Sequence, residues 1–191
     1  MTAVYFIRHA EKNPKSEDSD APLTDKGLAD RSLVTAYLCD KNIDVVLSSP
    51  YKRSVDTVSE FAQQAGLEVQ AIYDFRERRI SSKWIDDFKS YAVNQWADFS
   101  YKLEDGESLH EVQERNIAAL QEALRQHNGK NIVVGTHGTS LSTIIRYFDA
   151  TYGFADFMAM AHIMPWVVKM EFDGVCCVGI EKIDLFQLAA D

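Results

Sequence analysis

The chain has 191 residues, of which 46% are hydrophobic, and a formal net charge of -9. That length and composition suit one domain over residues 1-191 with an ample core, and nothing in them signals disorder. The acidic balance argues against nucleic acid as the main partner, since a phosphate backbone wants a basic surface, and it makes any cationic pocket a local feature.

No apolar run approaches the roughly 20 residues needed to span a bilayer, so no membrane partner is expected. The N-terminus enters a strand directly and leaves no room for a signal peptide, so a cytoplasmic location is expected. Cys39, Cys176 and Cys177 form neither an even disulfide framework nor a metal-ligand spacing, and read as core or strand residues.

Val4-Tyr5-Phe6-Ile7 reads as a buried strand that stops abruptly at Arg8-His9, two residues able to hold an anion. In an open α/β sheet, ligands collect beyond the carboxyl ends of parallel strands, which makes this edge a candidate site. Residues 11 to 23, with charges and two prolines, read as a loop. Thr24 then caps a helix whose apolar face is Leu28, Leu33, Val34, Tyr37 and Leu38, closed by Lys41-Asn42. A strand from Asp44 to Ser48 follows, then a cap at Ser49 and Pro50 in the first turn of a helix running to about Gln64. Val55, Val58, Phe61 and Ala62 face inward there, and Gly66 stops it. Leu67 to Tyr73 is a further short strand.

Residues 80-104 break the βαβ rhythm with Trp84, Phe88, Tyr91, Trp96, Phe99 and Tyr101 at mostly helical spacing, which reads as a helical insertion. Leu109, Val112, Ile117, Leu120 and Leu124 make one stripe of a helix over 108-126, ended by Asn128-Gly129. Asn131 to Thr136 is an apolar strand that ends, like the first, at a histidine, His137, followed by a helix over 140-148. Strands over 164-172 and 175-185 flank Asp173-Gly174, a strong hairpin signal.

Taken in order, Arg8-His9, Leu23-Thr24-Asp25-Lys26-Gly27, Ser48-Ser49-Pro50 with Arg53 and Thr57, Glu77, Gly106-Glu107-Ser108 and His137-Gly138 resemble the histidine phosphatase superfamily, the phosphoglycerate-mutase-like enzymes. Ala10 stands where that family's first motif usually has glycine. The resemblance implies a three-layer α/β/α sandwich around a mostly parallel sheet, with a small helical cap insertion at about 80-104 over the site.

Chemistry and resemblance together assign roles. His9 is the expected nucleophile, because neutral imidazole attacks phosphorus near pH 7 and a phosphohistidine divides one hard transfer into two easier ones; its other ring nitrogen should bond a carbonyl. Arg8 and Arg53 suit a phosphate, since a guanidinium matches its oxygens bidentately, and His137 adds a donor. Helix N-termini at Pro50 and Gly138 should offer further N-H groups. Glu77, in Phe75-Arg76-Glu77-Arg78-Arg79, is the candidate general acid and base; the competing reading is a loop glutamate paired with arginines. Glu11, Lys12, Arg78, Arg79, Thr136, Gly138 and His162 are candidate substrate contacts, and Glu107 is expected to help start the helix after it.

The expected function is metal-independent hydrolysis of a small phosphorylated metabolite through a phosphohistidine. A cofactor-dependent phosphoglycerate mutase, needing 2,3-bisphosphoglycerate, is the close alternative; the compact insertion favours the phosphatase. An inactive phosphate-binding module is the alternative of another class, opposed by the joint presence of His9 and Glu77. A protein-phosphohistidine or phosphotyrosine phosphatase would want an open cleft. Substrate and oligomeric state stay open.

Overall fold

Successive residues of a strand point to opposite faces of its sheet, and the first strand, β1 (Thr2–Arg8), uses this to divide the core in two. Val4 and Phe6 enter one apolar cluster, Tyr5 and Ile7 the other. The structure, a computed structural model, describes residues 1-13, 19-82 and 85-190. Trp84 of the expected insertion and part of the 11-23 loop lie outside the described residues.

Five strands join β1: β2 (Val45–Ser48), β3 (Val69–Ala71), β4 (Asn131–Thr136), β5 (Trp166–Asp173) and β6 (Cys176–Ile183). Their order is β3-β2-β4-β1-β5-β6. The first four run parallel, β5 runs antiparallel to β1, and β6 antiparallel to β5. Helices α1 (Asp25–Leu38) and α2 (Lys52–Ala65) cover one face, and the short α7 (Leu185–Leu188) adds Leu185 there. Against the other face lie α3 (Phe88–Ala97), α4 (Leu109–Gln126), α5 (Gly138–Phe148) and α6 (Phe154–Met160). The mixed sheet between two helical layers is the architecture expected from the sequence.

Several details differ. Leu28 is 42% exposed, because α1 turns Gly27 inward instead. A Cβ on Gly27 would stand 2.2 Å from the Glu11 carbonyl oxygen, so only glycine permits this approach, and its neighbour, about 100° around the helix, faces out. That helix also ends at Leu38, before the expected Lys41-Asn42, and leaves Cys39 exposed rather than in the core. Cys176 and Cys177 do lie on a strand, β6. Pro50 precedes α2, which starts at Lys52; Gly66 closes it in the left-handed conformation, φ 69°. The third strand is cut to Val69–Ala71 by a 3-10 turn at Tyr73–Phe75. Within 80-104 only Phe88–Ala97 is helical among the described residues, since Asp87 caps it late. Helix α6 is too short to show a period in sequence, and β6 yields to α7 when Asp184 accepts from the Phe186 N-H.

Candidate active site

Sheet register brings three strand ends level. Arg8 pairs with Thr136 and Ser48 with Gly135, so the chain leaves β1, β2 and β4 at one edge. The His9 N-H donates to the Thr136 carbonyl at 3.1 Å and the Ser49 N-H to Gly135 at 2.9 Å, extending both ladders past the strands. The helix after β1 covers one face and the helix after β4 the other, which opens a crevice between these neighbours, the usual place for a ligand in such a sheet.

His9 and His137 face one another across that crevice with ring centroids 5.3 Å apart. Nδ1 of His9 lies 2.7 Å from the Ala10 carbonyl oxygen. A carbonyl only accepts, so Nδ1 carries the proton and the neutral ring keeps its lone pair on Nε2, the atom that would attack. Burial, followed by the charge of Arg53, lowers the His9 pKa well below 6.5; the bond to Ala10 opposes this, and Arg8 and Lys12 add to it. Ala10 itself is wholly buried, its N-H donating to Thr57 Oγ1, which in turn donates to the Arg53 carbonyl.

His137 is fully buried, and its Nε2 lies 2.8 Å from Ser49 Oγ. Its pKa is lowered by burial first, then by Arg53, His9, Arg115 and Arg8. Arg53 is 2% exposed, with Cζ 5.0 Å from the Tyr51 ring centroid, and Tyr51 also packs edge-on against His137. Arg8 is held from the far end of the chain: its Nη1 donates to the carbonyls of Met160 at 2.6 Å and Ile163 at 3.1 Å. Desolvation lowers its pKa to about 10, so it stays cationic at neutral pH. Arg8 Nε and His137 Nδ1 are both buried without a hydrogen-bond partner among the described residues. Such orphaned atoms are costly unless a ligand meets them.

Glu77 does not pair with an arginine among the described residues, contrary to the competing sequence reading. Its carboxylate accepts from the backbone N-H groups of Thr139 at 3.0 Å, Ser140 at 3.3 Å and Arg78 at 2.7 Å. It therefore caps α5 from another loop, where His137, the N-cap residue, makes no side-chain cap bond. This changes the expected role of that helix end, because two of its N-H groups hold the acid. The first N-H of α2 is likewise taken, by the Ser19 carbonyl at 3.0 Å.

The other candidates separate. Glu11 accepts from the Thr24 hydroxyl at 2.8 Å, so its carboxylate fastens a loop. Lys12 bridges to Leu23 and Thr136 is buried with its hydroxyl toward the Phe75 carbonyl. At Gly138 an added Cβ would come within 3.3 Å of Arg8 Nε, so this glycine lets the guanidinium pass. His162 is exposed after α6 and lies outside the cavity lining. Glu107 serves less to start α4, which Ser108 and Glu111 cap reciprocally, than to pair with Arg76 and Arg115.

A cavity of about 960 Å³ opens beside the crevice, lined by Tyr51, Glu77, Arg78, Phe88 and Thr139 among others. Arg78 is 4% exposed, between the rings of Phe88 and Tyr91, and donates from Nη1 to Gln95 Oε1. It makes no ion pair among the described residues, and its Nε has no partner. Arg79 lines the same cavity but is exposed and pairs with Asp105 at 3.5 Å. No group of histidine, cysteine and carboxylate side chains able to hold a metal occurs among the described residues. No helix among them is long and apolar enough to cross a membrane.

Residues 4–176 match the model of the histidine phosphatase superfamily (branch 1), and the chain belongs to that family. It is 28% identical over 155 residues to phosphoserine phosphatase 1 of Hydrogenobacter thermophilus, covering 72% of this chain and 71% of that one. A probable phosphoglycerate mutase of Salmonella arizonae is 29% identical over 160 residues, 76% and 74% of the two chains. The solved structure of YhfR from Bacillus stearothermophilus superposes with a TM-score of 0.78 over 93% of this chain and 94% of that one, at 21% identity. The family holds both phosphatases and mutases.

Ser49, Tyr51, Thr57, Gln95 and Arg115 escaped the sequence reading as site residues. Ser49 carried a signal, its place before Pro50, but that signal reads equally as a helix cap. Thr57 stood in the motif around Arg53 without a role attached, and Tyr51, Gln95 and Arg115 each make contacts far away in sequence, to His137, Glu107 and the Glu77 loop.

Proposed function

We propose that this chain hydrolyses phosphomonoesters of a small phosphorylated metabolite through a phosphohistidine at His9, as a cytoplasmic enzyme that needs no metal. The observation that carries the reading is the pair of orphaned buried atoms, Arg8 Nε and His137 Nδ1, flanking an imidazole whose Nε2 keeps its lone pair. That is an anion-shaped demand placed around a nucleophile.

In the proposed reaction Nε2 of His9 attacks phosphorus and the bond to the ester oxygen breaks. Glu77, in its acid form, gives that oxygen a proton. Water then attacks the phosphohistidine, Glu77 takes the water's proton, and phosphate leaves as His9 is restored. Arg8, Arg53 and His137 meet the charge spread over the phosphoryl oxygens, and losing one such donor costs on the order of 10²–10³ in rate. Arg78, a buried cation that forms no ion pair among the described residues, supports a substrate with a second anionic group. A relative that is a phosphoserine phosphatase supports hydrolysis over transfer, as does the compact segment between β3 and α4.

Phosphate release from an aryl phosphate and from 3-phosphoglycerate, with chelator present, tests this. Release by the native chain, its loss in His9→Ala and no isomerisation of phosphoglycerate are expected. Turnover surviving in His9→Ala overturns the mechanism, and isomerisation primed by 2,3-bisphosphoglycerate makes the protein a mutase.

A further inference from the structure

Ser140 Oγ donates to the Arg76 carbonyl of the loop that carries Glu77 at 2.6 Å, and a side chain on another helix holds three more of that loop's carbonyls. Arg115, on α4, donates from Nη1 to the carbonyls of Asp74 at 2.7 Å and Arg76 at 2.9 Å, and from Nη2 to the carbonyl of Glu77 itself at 3.3 Å. Its Nε and Nη2 also grip the two oxygens of Glu107 at 2.8 and 3.1 Å. Glu107 in turn accepts from Arg76 Nη2 at 3.0 Å and from the Arg79 N-H at 2.9 Å. Its main-chain carbonyl accepts from Gln95 Nε2, whose other end holds Arg78. Burial pushes the Glu107 carboxyl up, but the bonds from Arg115 and Arg79 and the charges of Arg115 and Arg76 outweigh it and keep it ionised.

We propose that Arg115 and Glu107 are positioning residues for the proton transfer step. This rests on the reading of Glu77 as the acid. The α5 N-H groups fix the carboxylate of Glu77, while Arg115 fixes the backbone from which it springs, so the carboxyl is held at both ends against the leaving oxygen. Only a planar fork with five donors can join three carbonyls and a carboxylate; an ammonium at position 115 cannot span them. Neither residue is placed on the phosphate, so their loss falls on protonation of the leaving group and spares the attack by His9. A displacement of even 1 Å at such a step costs up to about 10²-fold.

The test is leaving-group dependence. An alkyl phosphate needs its departing oxygen protonated, whereas a nitrophenyl phosphate leaves as a stable anion. The specificity constant kcat/KM, which covers the steps up to departure of the alcohol and leaves out the later attack of water, is measured on both for the native chain, Glu77→Gln, Arg115→Lys and Glu107→Gln, with folding followed by circular dichroism. Glu77→Gln should lose kcat/KM on the alkyl phosphate by about 10²-fold or more with a small change in kcat/KM on the nitrophenyl ester. Arg115→Lys and Glu107→Gln should show the same selective loss, about tenfold or more, and Arg115→Lys combined with Glu77→Gln should be no worse than Glu77→Gln alone. Equal losses on both esters in a folded Arg115→Lys or Glu107→Gln, or no loss at all, overturn the positioning role. If Glu77→Gln itself shows no selectivity, the assignment of the acid falls and the positioning role with it. Should Arg115→Lys fail to fold, Glu107→Gln alone decides.

Discussion

His9 and His137 stand with ring centroids 5.3 Å apart and planes inclined at 60°, one held by the Ala10 carbonyl and the other by Ser49. They come from strands that are neighbours in the sheet and far apart in the chain, and the sheet register alone sets their separation. Each is neutral in the folded state, one with a lone pair ready and the other with a buried nitrogen unmet.

That division of labour predicts a covalent intermediate. Brief mixing with a radiolabelled phosphate ester and quenching in alkali should leave label on the native chain, and acid should remove it, as for a phosphoramidate. Gel autoradiography checks this, with His9→Ala expected to carry no label. Label that survives acid would point to a different nucleophile.

The same histidines make stability depend on pH. Both are held below the ordinary value of 6.5, so the unfolded chain takes up protons that the folded chain refuses. Their contribution is complete above about pH 6.5 and is lost as pH falls from there toward the folded-state pKa values. In that window the unfolding free energy should decline by up to about 1.4 kcal/mol per pH unit for each histidine. Urea melts between pH 7.5 and 5 should show the slope reduced in His137→Asn; an unchanged slope would remove His137 from this account.

Ser49 has a role separate from any cap. Ser49→Ala leaves His137 Nε2 buried without its partner, at a cost of about 1–3 kcal/mol. Turnover should fall as the ring loses its orientation, while Ser59→Ala, on the outer part of α2, should leave both unchanged. Thermal melts and phosphate release measure the pair.

Gly27 and Leu28 test the corrected face of α1. Gly27→Ala drives a Cβ into the Glu11 carbonyl and should destabilise by about 1–3 kcal/mol. Leu28→Ala, on the exposed side, should stay within about 0.5 kcal/mol of the native chain. Equilibrium unfolding in urea separates the two, and a larger effect at Leu28 would restore the inward face read from the sequence.

Arg78→Met keeps bulk between Phe88 and Tyr91 but removes the charge. For phosphate esters bearing a second anion, KM should rise roughly ten- to a hundredfold, with little change for esters lacking one. Steady-state kinetics on such a matched pair of esters decides it.

How much of this was legible in the sequence follows from where the information lies. Arg8 ends a strand with an evident apolar pattern, His9 and His137 follow one, and Arg53 opens the helix after one, so chain order and strand polarity sufficed to gather them at one edge. Glu77 was legible as a candidate but not as the cap of α5, because that seat depends on a loop meeting a helix that starts some sixty residues later. Leu28 misled because hydrophobicity alone ranks leucine above glycine, while the deciding contact is a main-chain oxygen. Arg115 carried no signal: on an amphipathic helix an arginine reads as surface, and its targets are carbonyls that every residue possesses. Trp84 lies outside the described residues, and the rest of its segment shows one helix, not the full insertion the aromatics suggested.

Arg8 reaches Met160 across 152 residues of chain, and the parallel pairing of β1 with β4 spans nearly as many. Contacts of that length are slow to form and are completed late in folding. The crevice around Arg8 therefore has no partial version: until the chain between α6 and β5 has docked, one wall of it is missing. A bound anion can then stabilise only what is already folded, so inorganic phosphate should slow the unfolding of this protein while leaving its folding rate alone.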